Sequence, residues 1–256
     1  MIDILLQLAP AVVAAILAIT LHEAAHGYAA LALGDDTARL AGRLSLNPLR
    51  HVDRVGTILL PGFLLIFQLL TFGRVMFMFG WAKPVPVSAW KFRDPRRGMA
   101  VVACAGPAMN FLLAYIGALL FPLPSRPVPP GVDPLDVAEL ALAQHPIIGP
   151  FLFYFILTNL VLGLFNLLPI PPLDGGRIAV GLVPLPLARR WAQLERAGIV
   201  LVVLLVFLLP PALREFGIDF DPFRDTLAAV LPWAFRVLFT LSGHAIGGAA
   251  AGMQHV

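Results

Sequence analysis

The sequence predicts an all-α polytopic membrane protein. It has five to six transmembrane helices, a re-entrant segment and candidate positions for a small β element at the cytoplasmic side. Three observations carry this reading. Hydrophobic residues make up 59% of the 256 residues and charged residues only 13%, about half the charged share of a soluble domain. Several apolar runs approach the ~20 residues needed to cross a hydrocarbon core. The basic residues gather in the segments between those runs, which is the pattern of a membrane topology signal.

The first run, about residues 8–33, is rich in Ala, Leu, Val and Ile. It lacks a basic leader and is too long for a signal peptide, so it reads as a retained span. Residues 34–55 follow, with Arg39, Arg43, Arg50 and Arg54. The stretch 56–80 is apolar but interrupted by Pro61, Gly62, Gly73, Arg74 and Gly80. Residues 81–97 carry Lys83, Lys91, Arg93, Arg96 and Arg97. Full spans are expected at about 98–121 and 147–169, separated by an acidic loop with Asp133, Asp136 and Glu139. Residues 173–196 are again basic, and two further spans are expected at about 196–212 and 223–243.

The excess of Arg and Lys places 34–55, 81–97 and 173–196 in the cytoplasm, and the loops 122–146 and 213–222 outside. One arrangement satisfies all five: residues 56–80 enter and leave on the same side. Twenty-five residues are too few for two helical crossings, and broken backbone at membrane depth must lie against protein or a wet cavity. The rival is a sixth full span. Residues 42–46 and 85–88 alternate well enough to be short strands at the cytoplasmic mouth, although prolines weaken them. The chain reads as one membrane-embedded domain over 1–256. Its motif-bearing core covers about 8–183, and two helices over about 196–243 are additional.

The sequence pI of about 9.5 and net charge of +3 do not indicate nucleic-acid binding, because the basic residues form no continuous patch. The single cysteine, Cys104, cannot form an internal disulfide and is expected to pack as a small hydrophobe. Trp81 and Trp90 read as interface anchors. His51, His145, His244 and His255 lack a ligand-spaced partner and read as loop or tail residues.

The chemistry concentrates in His22-Glu23-Ala24-Ala25-His26. On a helix the two histidines stand on one face, one turn apart, where both imidazoles can hold one metal ion with Glu23 beside it as a general base. Ionisable residues within a span are rare and usually functional. A catalytic zinc shell has three protein ligands and one open position. The third ligand is sought where span 147–169 breaks, in Asn166-Leu167-Leu168-Pro169-Ile170-Pro171-Pro172-Leu173-Asp174-Gly175-Gly176-Arg177. Three prolines stop the helix, Gly175 and Gly176 allow close backbone approach, and Asp174 either faces a metal or caps a short helix.

These motifs resemble the site-2 protease family, the M50 intramembrane metalloproteases. Ala105-Gly106-Pro107-Ala108-Met109-Asn110 reinforces the likeness. Gly42 through Pro48 and Gly80 through Val87 are similar to the compact prokaryotic branch, which lacks PDZ and CBS domains. The resemblance covers about residues 22–177. It implies one zinc ion held by His22, His26 and Asp174, with Glu23 as base and Asn166 steadying the substrate carbonyl or oxyanion. Asn166 could equally make an interhelical hydrogen bond, and Asn110 is expected to pack. The implied activity is hydrolysis of peptide bonds in transmembrane protein substrates, with the site toward the cytoplasmic side of a prokaryotic cell membrane and the lipid bilayer as surroundings. Two readings compete. A metal transporter would use the same His/Asp cluster but should show inverted repeats, and an inactive membrane scaffold would not need Glu23.

Overall fold

The structure is a computed structural model that describes residues 2–73, 80–122, 142–194 and 197–242. Among these residues every regular element is helical. Four helices are long and apolar enough to cross a membrane: Ala9–Ala32, Arg54–Thr71, Pro95–Leu120 and Ile148–Asn166. The all-α class therefore stands. Many of the apolar side chains of these helices face outward, among them Ile16, Ile58, Phe63, Ile66, Leu112 and Ile148. Such surfaces are at home in hydrocarbon and unfavourable in water.

Helix α1 (Ile2–Ala32) ends at Gly34, whose φ of +96° only glycine adopts without strain. The Gly34 N–H bonds to Leu31 O and the Asp35 N–H to Ala30 O. This double turn satisfies the last carbonyls of the helix. Helix α2 (Leu60–Phe72) follows a π-helical turn over Arg54–Leu59. Pro61 has no amide to offer the carbonyl four residues back, so the helix widens before it. The Asp53 carboxylate caps the start through the Val55 and Gly56 N–H groups at 3.0 and 2.7 Å, and Gly73 closes the end with φ +68°. The chain reappears beside the beginning of this helix. The Trp81 N–H donates to Gly56 O at 3.1 Å, the Thr57 hydroxyl donates to Trp81 O at 2.9 Å, and the Trp81 ring fills the space where a Gly56 side chain would stand.

Helix α3 (Pro95–Leu119) begins before the expected residue 98. The Asp94 carboxylate accepts from the Arg96 and Arg97 N–H groups, both at 3.1 Å, and Pro95 suits the first helical position. The charges at 93–97 resemble a loop in the sequence, whereas they form a capped helix start. Helix α4 (Ile148–Asn166) is followed by α5 (Asp174–Leu182) and α6 (Leu185–Gln193). Helix α7 runs in three pieces, Gly198–Val202, the π-helical Val203–Leu208 and Leu209–Glu215. Its widened turn again precedes prolines, Pro210 and Pro211. Helix α8 is Pro222–Leu241. The expected spans at 196–212 and 223–243 thus correspond to α7 and α8, neither of which is among the four helices above.

The chain divides into two compact units. One comprises Met1–Ala18, Ala108–Phe165 and Asp221–Val256. Its core joins Ala114, Ala118 and Phe121 of α3, Leu152, Ile156 and Leu160 of α4, and Ala234, Phe235 and Phe239 of α8. Asn110 and Asn159 are fully buried there, and Asn110 Nδ2 donates to Asn159 Oδ1 at 2.9 Å. Asn159 Nδ2 donates in turn to Phe155 O at 2.8 Å. Asn110 therefore packs and pairs across helices, as expected of a membrane asparagine.

The other unit comprises Ile19–Pro107 and Asn166–Phe220. Several expectations are corrected within it. Residues 42–46 and 85–88 are not strands. Their backbone donors are committed elsewhere: the Arg43 N–H to Ala38 O, the Val85 N–H to the Glu23 carboxylate and the Ser88 N–H to the Asp35 carboxylate. Pro84 and Pro86 have no donors at all, so no ladder can form. Cys104 is exposed rather than packed. Its neighbours Val102 and Ala103 occupy the buried face of α3, and Cys104 falls outside it. His51 is buried, with its Nε2 donating to Ser45 O at 2.8 Å, so it is not a free loop residue. Trp81 and Trp90 are both exposed, in keeping with the expectation for them, and Trp81 also packs on Gly56. His244 and His255 lie outside the described residues.

Beyond the end of α1, a charged knot ties residues 35–37 to 88–91. Asp35 is fully buried and accepts from the Ser88 N–H at 2.6 Å and the Thr37 N–H at 3.0 Å. Lys91 Nζ reaches Asp35 at 3.3 Å and Asp36 at 2.7 Å. Burial alone would raise the Asp35 carboxyl, but the Ser88, Thr37 and Lys91 donors outweigh it and hold the pKa below the usual range. The sign follows from the folded value lying below the unfolded one. The knot stabilises the fold fully above the ordinary carboxylate pKa, and that contribution is lost as pH falls through the folded pKa. Thermal melts in detergent between pH 7 and pH 3 should show an acid-side loss of stability that Asp35→Asn reduces. An unchanged pH dependence in the variant would refute the assignment.

Candidate metal centre

His22 and His26 lie on α1 four residues apart, and their rings meet edge to face with centroids 4.7 Å apart. Asp174 opens α5. Three donor atoms converge. His22 Nε2 and His26 Nε2 are 3.1 Å apart, and Asp174 Oδ2 lies 3.2 Å from the first and 3.3 Å from the second. A tetrahedral ion with bonds of about 2.0–2.1 Å sets its ligands roughly 3.3 Å apart. The triangle has the size such an ion requires. Among the described residues this is the group of His, Cys, Asp and Glu side chains placed to hold a metal.

The protonation pattern agrees. His26 Nδ1 lies 2.8 Å from Val102 O, so that nitrogen carries the hydrogen and donates it. In the neutral ring Nε2 then presents a lone pair toward Asp174. Asp174 Oδ2 is buried without a hydrogen-bond donor. Buried lone pairs that face one another without a donor are costly. A cation between them resolves the cost, and the donor set of two imidazoles and one carboxylate suits zinc.

Asp174 owes its position to glycines. A Cβ on Gly175 would strike the carbonyl oxygens of Leu167 and Leu168, and one on Gly176 would lie 2.6 Å from Pro171 N. The loop after α4 can therefore fold tightly against the start of α5. The helix begins at Asp174 itself, and Leu173 O accepts the Gly176 N–H at 3.0 Å. The carboxylate is in the first turn and is not the cap, which leaves it for the centre. Its negative charge at a helix N-terminus is also favourable.

Gly106 was legible in the sequence as part of a motif but not as part of the centre. A Cβ there would lie 2.5 Å from His22 Cε1 and 2.5 Å from His26 Cε1 and Nε2. The bare backbone of α3 at Gly106 is the surface against which both imidazoles rest. Glu23 is half-buried, and its Oε2 accepts the Val85 N–H at 3.1 Å. Asn166 is the last residue of α4 and is half-buried. The structure thus brings together His22, His26 and Asp174. Glu23 adjoins them along α1, and Asn166 lies outside the donor triangle.

The chain is similar to known proteins. The family model described as Peptidase family M50 matches residues 131–210. The chain is 41% identical over 227 residues to "Putative zinc metalloprotease YwhC" of Bacillus subtilis (strain 168), covering 89% of this chain and 93% of that protein. It is 30% identical over 204 residues to "Putative zinc metalloprotease Rip2" of Mycolicibacterium smegmatis, covering 78% of this chain and 67% of the relative. The protein of the same name from Mycobacterium tuberculosis is 31% identical over 241 residues, covering 93% and 75%. No solved structure matches.

Gly106→Ala should lower metal affinity by on the order of tenfold or more, comparable with damage to a ligand's supporting shell. Alanine favours a helix by about 1 kcal/mol over glycine, so α3 should persist. Metal analysis of the purified variant alongside its circular dichroism checks both halves. Full metal retention would show that the imidazoles do not rest on this glycine.

Proposed function

The chain belongs to peptidase family M50, and from that premise we propose that it is an intramembrane zinc metalloprotease that hydrolyses peptide bonds of transmembrane protein substrates. The observation that carries the proposal is the triangle of His22 Nε2, His26 Nε2 and Asp174 Oδ2, with edges of 3.1–3.3 Å. Two of its corners stand on a helix long and apolar enough to cross a membrane. The relatives named above as zinc metalloproteases support zinc as the ion.

His22, His26 and Asp174 would hold the zinc, which supplies a Lewis acid for the scissile carbonyl and the attacking water. Glu23 takes a proton from that water as hydroxide adds to the carbonyl carbon. It then delivers the proton to the departing amide nitrogen as the C–N bond breaks. His26 is oriented throughout by Val102 O. Asn166, the last residue of the helix before the Asp174 loop, is assigned to steady the substrate carbonyl on the strength of the family resemblance. A substrate helix must unwind to expose its carbonyls. The chain is assigned as a single membrane-embedded domain of a prokaryotic cell membrane, with the site toward the cytoplasm.

The topology assigned here has residues 56–80 dipping in and returning. The pairing of Trp81 with Gly56 and Thr57, at opposite ends of that stretch, supports it. So does the hydrogen bond from the Lys83 N–H to His51 O at 2.8 Å. Helices α7 and α8 are assigned as further spans, giving five crossings with the re-entrant segment beside them.

Glu23→Gln should abolish cleavage of a single-span membrane substrate and leave zinc stoichiometry near that of the parent, since Gln keeps the shape and loses the base. His26→Ala should lose both zinc and activity. Normal turnover by purified Glu23→Gln protein would sink the mechanism. For topology, single cysteines at the exposed positions Leu49 and Trp90, in a Cys104→Ala background, are to be probed with an impermeant thiol reagent. Labelling of both from the cytoplasmic side is expected. Labelling from opposite sides would mean that 56–80 crosses completely.

A further inference from the structure

Residues 83–88 form neither helix nor strand and make a strap that meets α1 at Glu23 and Gly27. Val85 is buried, and its Cγ1 would be 3.1 Å from a Cβ placed on Gly27, one turn beyond Glu23. Pro84 and Pro86 flank it, so between Lys83 and Val87 the strap has one amide hydrogen, that of Val85. This hydrogen is directed to Glu23 Oε2 at 3.1 Å.

Both ends of the strap are fastened by side chains. At the near end the Arg43 guanidinium donates from Nη2 to Lys83 O at 2.6 Å and to Pro84 O at 3.4 Å. Its Nη1 donates to Arg50 O. The Lys83 N–H donates to His51 O at 2.8 Å. At the far end the buried Asp35 carboxylate takes the Ser88 N–H at 2.6 Å. Thr37 Oγ1 meets Ser88 Oγ at 3.0 Å, and Lys91 closes the knot on Asp35 and Asp36.

We propose that the strap is a positioning device for the base: the Val85 amide holds one oxygen of Glu23, and Arg43 and Asp35 hold the amide. This rests on the assignment of Glu23 as base. A glutamate has three rotatable side-chain bonds, and proton transfer needs its carboxylate within hydrogen-bond reach of the water. One fixed oxygen removes most of that freedom, while the other stays available to the proton. The proline pattern follows from the same role. Prolines on both sides stiffen the strap and leave it no competing donors. Arg43 suits its post because a planar guanidinium can serve several carbonyls at once. Val85 and Arg43 are positioning groups, since neither is asked to touch substrate.

Two measurements test the proposal. In amide hydrogen exchange of the full chain in detergent, a peptide over Pro84–Pro86 reports Val85 alone. Val85 should be protected by on the order of tenfold or more relative to an unstructured peptide, although it lies in no helix or sheet. Protection should persist in Glu23→Gln, whose side-chain carbonyl still accepts, and disappear in Glu23→Ala. This readout needs neither zinc nor turnover, so it stands even if the protease assignment fails. Unprotected Val85 in the parent, or protection that survives in Glu23→Ala, overturns the proposal. In the second measurement Arg43→Ala should lower kcat by roughly tenfold to a hundredfold, the scale of a small misplacement of a catalytic group. KM and zinc stoichiometry should stay near the parent values, and Arg43→Lys should restore part of the loss. A parent-like kcat, or a loss explained by missing zinc, overturns the role of Arg43. If Arg43→Ala does not fold, the exchange result decides alone.

Discussion

Three converging side-chain atoms are the constraint on which the rest of the site depends. His22 Nε2, His26 Nε2 and Asp174 Oδ2 lie 3.1–3.3 Å apart, with His22 and Asp174 almost fully buried. Two imidazoles and a carboxylate brought this close suit a cation, because the buried Asp174 Oδ2 has no hydrogen-bond donor and a buried polar atom left so is costly. The fold holds the three groups together. It does so with backbone rather than bulk. Gly106 lets α3 come up against both rings, Val102 O fixes one ring by its far nitrogen, and Gly175 and Gly176 let the Asp174 loop close on α5.

The same economy governs the segments between the helices. Backbone groups in a membrane-embedded chain need partners, and here side chains supply many of them outside the helices. Arg43 serves carbonyls of residues 50, 83 and 84. Asp53 caps the turn that leads into α2, and Asp35 takes the amide of Ser88. Arginines that look in the sequence like a charge signal for the cytoplasm are, in the case of Arg43, also structural. Charge and architecture share these residues, so an Arg→Lys exchange is not conservative wherever several carbonyls are bound at once.

The strap from Lys83 to Ser88 connects this scaffold to the chemistry. Its amide at Val85 reaches Glu23, and its ends reach the arginine and aspartate knots. Short alternating segments with prolines read ambiguously as strands. The structure resolves the ambiguity by hydrogen-bond partner: the donors of 85 and 88 go to carboxylates, so no sheet partner is available to them. The local pattern was wrong in predicting a ladder, because a ladder depends on a second strand that residues 85–88 do not encode.

By itself the sequence determined the helical class and the apolar spans over about 8–33, 98–121 and 147–169, and it made His22, Glu23, His26 and Asp174 the candidate site residues. These follow from local physics. Apolar run length and the four-residue spacing on a helix are properties of neighbouring residues, and a broken helix followed by Asp-Gly-Gly is visible without any partner. Tertiary structure alone decided the rest. It set the exposure of Cys104, the burial of His51, the clearance at Gly106 and the bond from Val85 to Glu23. Apart from the exposure of Cys104, each of these is a contact between residues six to eighty-four positions apart. No periodicity records such contacts, because they exist only when separate elements close to within a hydrogen bond or a van der Waals radius.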